Sequence, residues 1–256
     1  MKYLHILLLS CVSLITLAAP PKREFYEIRV YYLKDNAQEE KIDAYLKNAL
    51  IPALHRASIP AVGVYKPVEA DSTAGKRIYV LIPYNSLDQF TKMPGDLLKD
   101  SKYLADGKEY LDASYEMPPY NRMQKILLQA FTGLPRHEVP KLTSPKADRV
   151  YELRSYESHS EKISTNKVKM FNDGDEVGLF KRLGFNAVFY AEVLSGSRMP
   201  NLMYMTSFEN MAARDEHWKT FVDDAQWKVV SKLPEYQHNV SRNEIRLLKP
   251  AEYSEL

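Results

Sequence analysis

The sequence predicts an α+β protein made of two tandem ferredoxin-like halves, each β-α-β-β-α-β, closing face to face into one intrachain barrel. Three observations predict it. The phrase FYEIRVYYLK, beginning at Phe25, returns as VYELRSYESH from Val150. The order of strand-like and helix-like segments after each copy is the same. A stretch holding Pro135, Pro140 and Pro145 separates the copies with the composition of a linker.

In the first copy, Phe25 to Leu33 alternates, with Tyr26, Ile28 and Val30 on one face and Glu27, Arg29 and Tyr31 on the other. Period two marks a strand. From Glu39 to Ser58, Ile42, Tyr45, Leu46, Ala49, Leu50 and Leu54 recur at helical spacing, and Pro52 predicts a kink or break. Ala61 to Tyr65 and Arg77 to Ile82 read as strands around a polar loop with Asp71, Ser72 and Gly75. A weaker helical stretch spans Ser86 to Tyr110, interrupted at Met93-Pro94-Gly95, and Arg122 to Ala130 closes the set as a strand.

The second copy follows suit. Val150 to Tyr156 is a strand, and Ile163 to Leu183 is helical but weakened by Gly174 and Gly178. Phe185 to Val193 and Leu202 to Phe208 are strands, Met211 to Lys232 is helical, and Val240 to Leu248 is the last strand. Tyr79 and Tyr204, and Tyr84 and Phe208, fall in matching places. The boundaries that follow are 25–130 for the N-terminal half, 131–149 for the linker and 150–248 for the C-terminal half. Each half leaves one sheet face bare, an apolar patch that a folded protein normally covers. The sister sheet is the economical cover, so each copy supplies half of one lumen wall.

The 256 residues are 45% hydrophobic and 27% charged, the make-up of an ordinary globular protein. A formal charge of +2 gives no electrostatic footprint for nucleic acid or anionic lipid. At the N-terminus, Lys2, the apolar stretch Leu4 to Leu17 and small residues before Ala19 form the pattern of a secretory signal peptide over residues 1–18. The stretch is short for a membrane span. The expectation is export, to the periplasm or beyond, with lipidation at Cys11 as the alternative processing. Cys11 is the only cysteine, so cleavage after residue 18 would leave no thiol for disulfides, thiolate catalysis or metal binding. The histidines show no HExxH-type spacing, Asn172 to Glu176 lacks the remaining ligands of a calcium loop, and GxSxG, P-loop and Rossmann patterns are missing. No metal and no nucleotide is therefore expected.

The candidate site residues are the polar faces of the two first strands, Glu27, Arg29 and Tyr31 with Glu152, Arg154 and Tyr156, all placed in the lumen. Arg242 and Glu244 on the last strand are expected to pair across strands with Glu152 and Arg154, and Tyr204 is expected to line the wall. Two readings stand side by side. The network fixes strand register as buried ion pairs often do, or its arginines and tyrosines orient an anionic or carbonyl-bearing ligand in a dry cavity. His217 lies on a helix whose Trp218, Phe221 and Val222 should pack on the sheet. It either hydrogen-bonds locally or reaches the cavity rim as a base or haem ligand.

The strand Tyr151-Glu152-Leu153-Arg154-Ser155-Tyr156, the segment Ala187-Val188-Phe189 and HWKTFVDDAQW from His217 to Trp227 resemble the NIPSNAP family of the dimeric α/β-barrel superfamily. The resemblance covers 150–247 well. It is weaker over 25–130, where Tyr26-Glu27-Ile28-Arg29 fits but the tryptophan-rich run has no counterpart. It implies a pseudo-dimeric α/β barrel rather than a reaction, because the superfamily holds cofactor-free monooxygenases, haem-handling enzymes and proteins of no known chemistry. The function expected is binding of a small, partly apolar molecule in the lumen. Any turnover would be a cofactor-free oxidation or isomerisation, no activated nucleophile being visible. The alternative is a non-catalytic interaction module with a side-chain-filled barrel. A further homo-oligomer is compatible with either, though the duplication removes the need for one.

Overall fold

A computed structural model describes residues 21–256; the expected signal peptide and Cys11 lie outside the described residues. The first half runs β1 (Phe25–Tyr32), α1 (Asn36–Tyr45), α2 (Ile51–Arg56), β2 (Gly63–Pro67), β3 (Arg77–Tyr84), α3 (Leu87–Leu97), α4 (Ser101–Asp106), α5 (Lys108–Leu111) and β4 (Arg122–Ala130). The second runs β5 (Val150–Glu157), α6 (Glu161–Asn172), α7 (Glu176–Arg182), β6 (Asn186–Ser195), β7 (Asn201–Phe208), α8 (Met211–Asp223), α9 (Ala225–Val230) and β8 (Arg242–Pro250). Corresponding helices start on corresponding caps. Asp35 and Ser160 accept the backbone N–H of Gln38 and Ile163, and Ser86 and Asn210 accept those of Gln89 and Ala213.

The eight strands close into a barrel in the order β1-β3-β2-β8-β5-β7-β6-β4, every neighbour antiparallel. Within each half the first strand lies between the third and the last, the ferredoxin-like order. The halves join at two seams. One is short, Tyr65 to Pro67 of β2 against Leu248 to Pro250 of β8; the other pairs β4 with β6 through a register shift at Leu127/Leu128. Closure gives every strand two neighbours, although the seams pair only Leu127–Ala130 of β4 and Leu248–Pro250 of β8. The fold is the α+β barrel expected from the duplication.

The helices differ from expectation at their breaks. Pro52 does not end the helix: the chain passes from α1 through a π-helical turn, Leu46–Leu50, into α2, and that turn is the irregularity which accommodates the proline just after it. Likewise α3 continues through Met93-Pro94-Gly95. Pro94 and Gly95 are on its exposed side while Met93 and Leu97 are buried, so both helix-weakening residues stay off the packed face. The break comes later, where Asp100 caps α4 by accepting the Tyr103 N–H at 3.0 Å.

Three apolar clusters organise the interior. One fills the lumen and one lies under the helices of each half. The lumen cluster takes Tyr26, Ile28 and Val30 from β1 and Tyr151 and Leu153 from β5. Tyr26 meets Phe189 at 5.3 Å and Tyr65 meets Tyr151 at 4.8 Å between ring centroids, blocking one end of the barrel. Leu142 of the connecting segment and the terminal Leu256 join the same cluster. That segment is pinned down. Glu209 accepts the N–H groups of Thr143 and Ser144, and Lys146 donates to the carbonyls of Glu252 and Ser254.

Gly63 shows how tightly this end is filled. A Cβ there would sit 2.6 Å from the ring of Tyr65, which is fully buried. Gly63→Ala should therefore destabilise by about 1–3 kcal/mol through overpacking. Urea denaturation checks this, and an unchanged midpoint would mean that the Tyr65 ring has room to swing.

Candidate functional site

Strand alternation puts Glu27, Arg29 and Tyr31 on the face of β1 opposite Tyr26, Ile28 and Val30, and so under the helices rather than in the lumen. Tyr31 packs in the helix-side cluster with Ile42 and Tyr45, and Glu27 accepts a bond from Tyr84 of that cluster. Glu152, Arg154, Tyr156 and Tyr204 occupy the same position in the second half, where Tyr204 and Tyr156 pack with Phe171 and Phe180. The lumen placement expected for these residues is thus corrected. The enclosed lumen takes the apolar faces, whereas the helix side supplies the counter-charges and donors that buried glutamate and arginine require.

Arg242 and Glu244 are corrected too. Glu152 lies beside Leu247 and Arg154 beside Ile245, while Ser155 faces Glu244 and Glu157 faces Arg242. The two charged residues of β8 are on the lumen side, away from Glu152 and Arg154. Arg242 is exposed at the barrel end. Tyr79 and Tyr204 are one residue out of step as well: Arg29 pairs with Val80 but Arg154 with Tyr204. Tyr79 therefore belongs to the lumen cluster, since a one-residue slip along a strand exchanges its faces.

The repeated phrase builds the same ladder twice. Arg29 Nε donates to Glu27 at 2.8 Å and Arg29 Nη1 to the Tyr31 hydroxyl at 3.2 Å. Arg154 Nε donates to Glu152, and Arg154 Nη1 to the Tyr156 hydroxyl at 3.0 Å. Burial raises the energy of the Glu27 carboxylate, but Arg29 and then Lys125 outweigh it and hold its pKa below the usual range. Burial likewise works against the Arg154 charge, yet Tyr204, Tyr156 and Glu152 outweigh it and raise its pKa further.

What covers the ladder differs. In the first half it is sealed by tyrosines: Tyr31 is fully buried against Tyr110 and Tyr120, and Tyr110 stacks on Tyr45 at 3.6 Å. In the second half it opens into a groove of about 510 Å³ under α6, α8 and α9. Arg154 and Tyr156 form one wall, and Trp218, Phe221 and Trp227 form the apolar flank. Trp218 is anchored by its indole N–H to Glu152 at 2.9 Å and lies 3.7 Å from the Arg154 guanidinium, a cation–π contact. Arg214 also donates to Glu152, at 2.6 Å, and a buried ion pair, Lys167 with Glu176 at 3.1 Å, closes the far side. Tyr204, fully buried, bonds the Tyr156 hydroxyl at 2.9 Å; burial first, then Tyr156, pushes its pKa well above the ordinary value.

Sequence reading thus found the floor of the groove but missed Lys167, Glu176, Arg214 and Trp227 as its walls. Periodicity marks these as helix residues without saying that α6 and α8 stand apart over Arg154. His217 does not line the groove. It donates through Nδ1 to the Ala213 carbonyl at 2.7 Å and packs between Phe185 and Phe208. The residue expected as a haem ligand is thus not presented there, and the local hydrogen-bonding reading fits it. At one end the lumen keeps an opening of about 130 Å³, lined among others by Tyr79, Ser155, Met203 and Glu244.

Residues 151–255 match the model of the NIPSNAP family. Among solved structures, a candidate monooxygenase from Lactobacillus acidophilus is similar at 12% identity and a TM-score of 0.55, over 89% of this chain and 94% of that one. An anthrone oxidase-like protein is similar at 10% identity and a TM-score of 0.52, over 90% and 92%. Both likenesses show the barrel fold alone. A NIPSNAP family protein from Agrobacterium tumefaciens aligns at 18% identity and a TM-score of 0.37, over 46% of this chain and 96% of that one. No curated relative matches by sequence.

Proposed function

We infer, from a C-terminal half that matches the NIPSNAP family and carries an open groove under its helices, that the protein binds a small, partly apolar molecule in that groove. The observation behind this is the contrast between the halves: the same Glu-Arg-Tyr ladder is plugged by tyrosines in one and left open in the other. The groove has the volume of a small-molecule site. Trp218, Phe221 and Trp227 suit a flat apolar body, and Arg154 with Tyr156 suits a carbonyl, hydroxyl or enolate oxygen at one end. The lumen, where the sequence placed the ligand, is blocked at one end and keeps only its mouth. That packing suits the rival reading, an interaction module, at the filled end of the lumen but not in the groove. We place the binding outside the cytoplasm, on the pattern of residues 1–18.

Turnover, where it occurs, fits oxidation or isomerisation better than hydrolysis, because none of the lining residues is a serine, threonine, cysteine or histidine. The neighbours named for oxidation guide the choice of probes. Trp218 and Trp227 are the chain's two tryptophans, so intrinsic fluorescence reports this groove directly. Fused-ring phenols and ketones, anthrone among them, should quench it saturably. Arg154→Gln should weaken that binding about tenfold or more, the loss of one charge-assisted hydrogen bond. Absence of saturation with every probe, or equal affinity in Arg154→Gln, would remove the reading. Oxygen uptake with the same probes separates turnover from simple binding.

A further inference from the structure

The open end of the barrel has a chemistry unlike that of the groove. Its floor is apolar, with Val30, Ile126, Leu153 and Met203, and its rim carries Arg77, Arg198 and Arg246 against a single lining carboxylate, Glu244. Glu244 is already divided, one oxygen on Arg246 and the other on Arg198. Asp71 lies 3.5 Å from Arg246 Nη1, and Glu157 lies 3.9 Å from Arg198. Two donor groups remain. Arg246 Nε is buried with no hydrogen-bond partner, a state that buried charged groups rarely keep. Arg77 forms no ion pair among the described residues; it reaches the Tyr79 hydroxyl at 3.4 Å and leans over the Tyr32 ring at 5.1 Å.

We propose that this mouth binds a small carboxylate, with its charge on Arg77 and Arg246 and its apolar body on the floor. Two features select that class. Arg77, which forms no ion pair among the described residues, presents a guanidinium fork that can donate two parallel hydrogen bonds to a planar carboxylate, and Arg246 adds its one unpaired Nε–H. The cavity, about 130 Å³, is of the size that takes one benzene ring. A bare inorganic anion would satisfy the arginines and leave the floor uncovered. A neutral ring would cover the floor and leave Arg246 Nε unpaired. The site is separate from the groove, since the two share no lining residue.

Isothermal titration of the purified protein with sodium benzoate, benzamide and sodium sulfate tests this. Benzoate should bind saturably, one per chain, with benzamide and sulfate each about tenfold weaker or more. Arg246→Gln and Arg77→Gln should each weaken benzoate by a similar factor, and Arg154→Gln should leave it unchanged. Arg77 sits half-exposed at the start of β3, so its variant keeps the test intact should Arg246→Gln fold poorly. Lack of saturation, equal binding of benzamide, or sulfate as tight as benzoate would each overturn the proposal. So would loss of benzoate binding in Arg154→Gln, which would move the ligand to the groove. Tryptophan quenching, read in parallel, keeps failure of the mouth apart from failure of the groove.

Discussion

Phe180→Ala is expected to lower stability by about 3–5 kcal/mol, the range for removing a large aromatic side chain from a core. Phe180 is fully buried at the centre of the C-terminal helix-side cluster. Its ring stacks on Phe221 at 4.9 Å and on Tyr190 at 5.9 Å, and meets Phe185 at 4.7 Å and Trp218 at 5.7 Å edge to face. It is supplied by α7, a helix of seven residues, too short to hold its shape without that anchorage. The cavity left behind would adjoin the groove wall. Guanidinium denaturation measures the loss, and a value under about 1 kcal/mol would mean that the aromatic shell closes over the gap.

Arg29→Ala should cost about 3 kcal/mol or more, because it strands a buried carboxylate. Glu27, 1% exposed, would keep Lys125 at 3.5 Å and the Tyr84 hydroxyl at 3.2 Å. Lys125 is itself held below its ordinary pKa by burial and then by Arg29. Its partial rescue of Glu27 places the loss at the lower end of the range. Arg154→Ala should cost less, about 1–2 kcal/mol, since Glu152 retains Arg214 and the Trp218 indole. Under the proposed function the pair should therefore separate two meanings of one motif, with Arg29→Ala read out in stability and Arg154→Ala in binding. The pH dependence has a definite sign. The folded-state pKa of Glu27 is depressed, so its contribution is complete above the unfolded value of about 4.3 and fades as pH falls through the lower folded value. The gap between wild type and Arg29→Ala should narrow below that pH. A gap that stays constant on acidification would show that Glu27 does not depend on Arg29.

Alternation along Phe25 to Leu33 and Val150 to Tyr156 was enough to reveal the duplicated strand, and with it the barrel. It also grouped Glu27 with Arg29 and Tyr31, and Glu152 with Arg154 and Tyr156, correctly. It could not say which face turns inward, because in this barrel both faces of β1 and β5 are covered, one by strands and the other by helices. Period two assigns partners within a face but has no sign. The same limit misplaced Tyr204, which matched Tyr79 in sequence yet lies one step out of register with it. The groove walls were hidden for another reason. The spacing of Lys167 and Glu176 crosses the α6–α7 break, where Asp175 takes a left-handed conformation at φ 59°, and no helical period carries across such a corner. The arginines of the mouth, Arg77, Arg198 and Arg246, come from three different strands or turns, and only the register of the closed ring brings them together.

The unequal fate of the two ladders follows from their sharing one polypeptide. Were the barrel assembled from two identical subunits, Tyr45, Tyr110 and Tyr120 would seal both sides or neither, every change being made in duplicate. Joined end to end, one side is free to harden into a buttress while its sibling stays accessible. The molecule thereby acquires a front and a back.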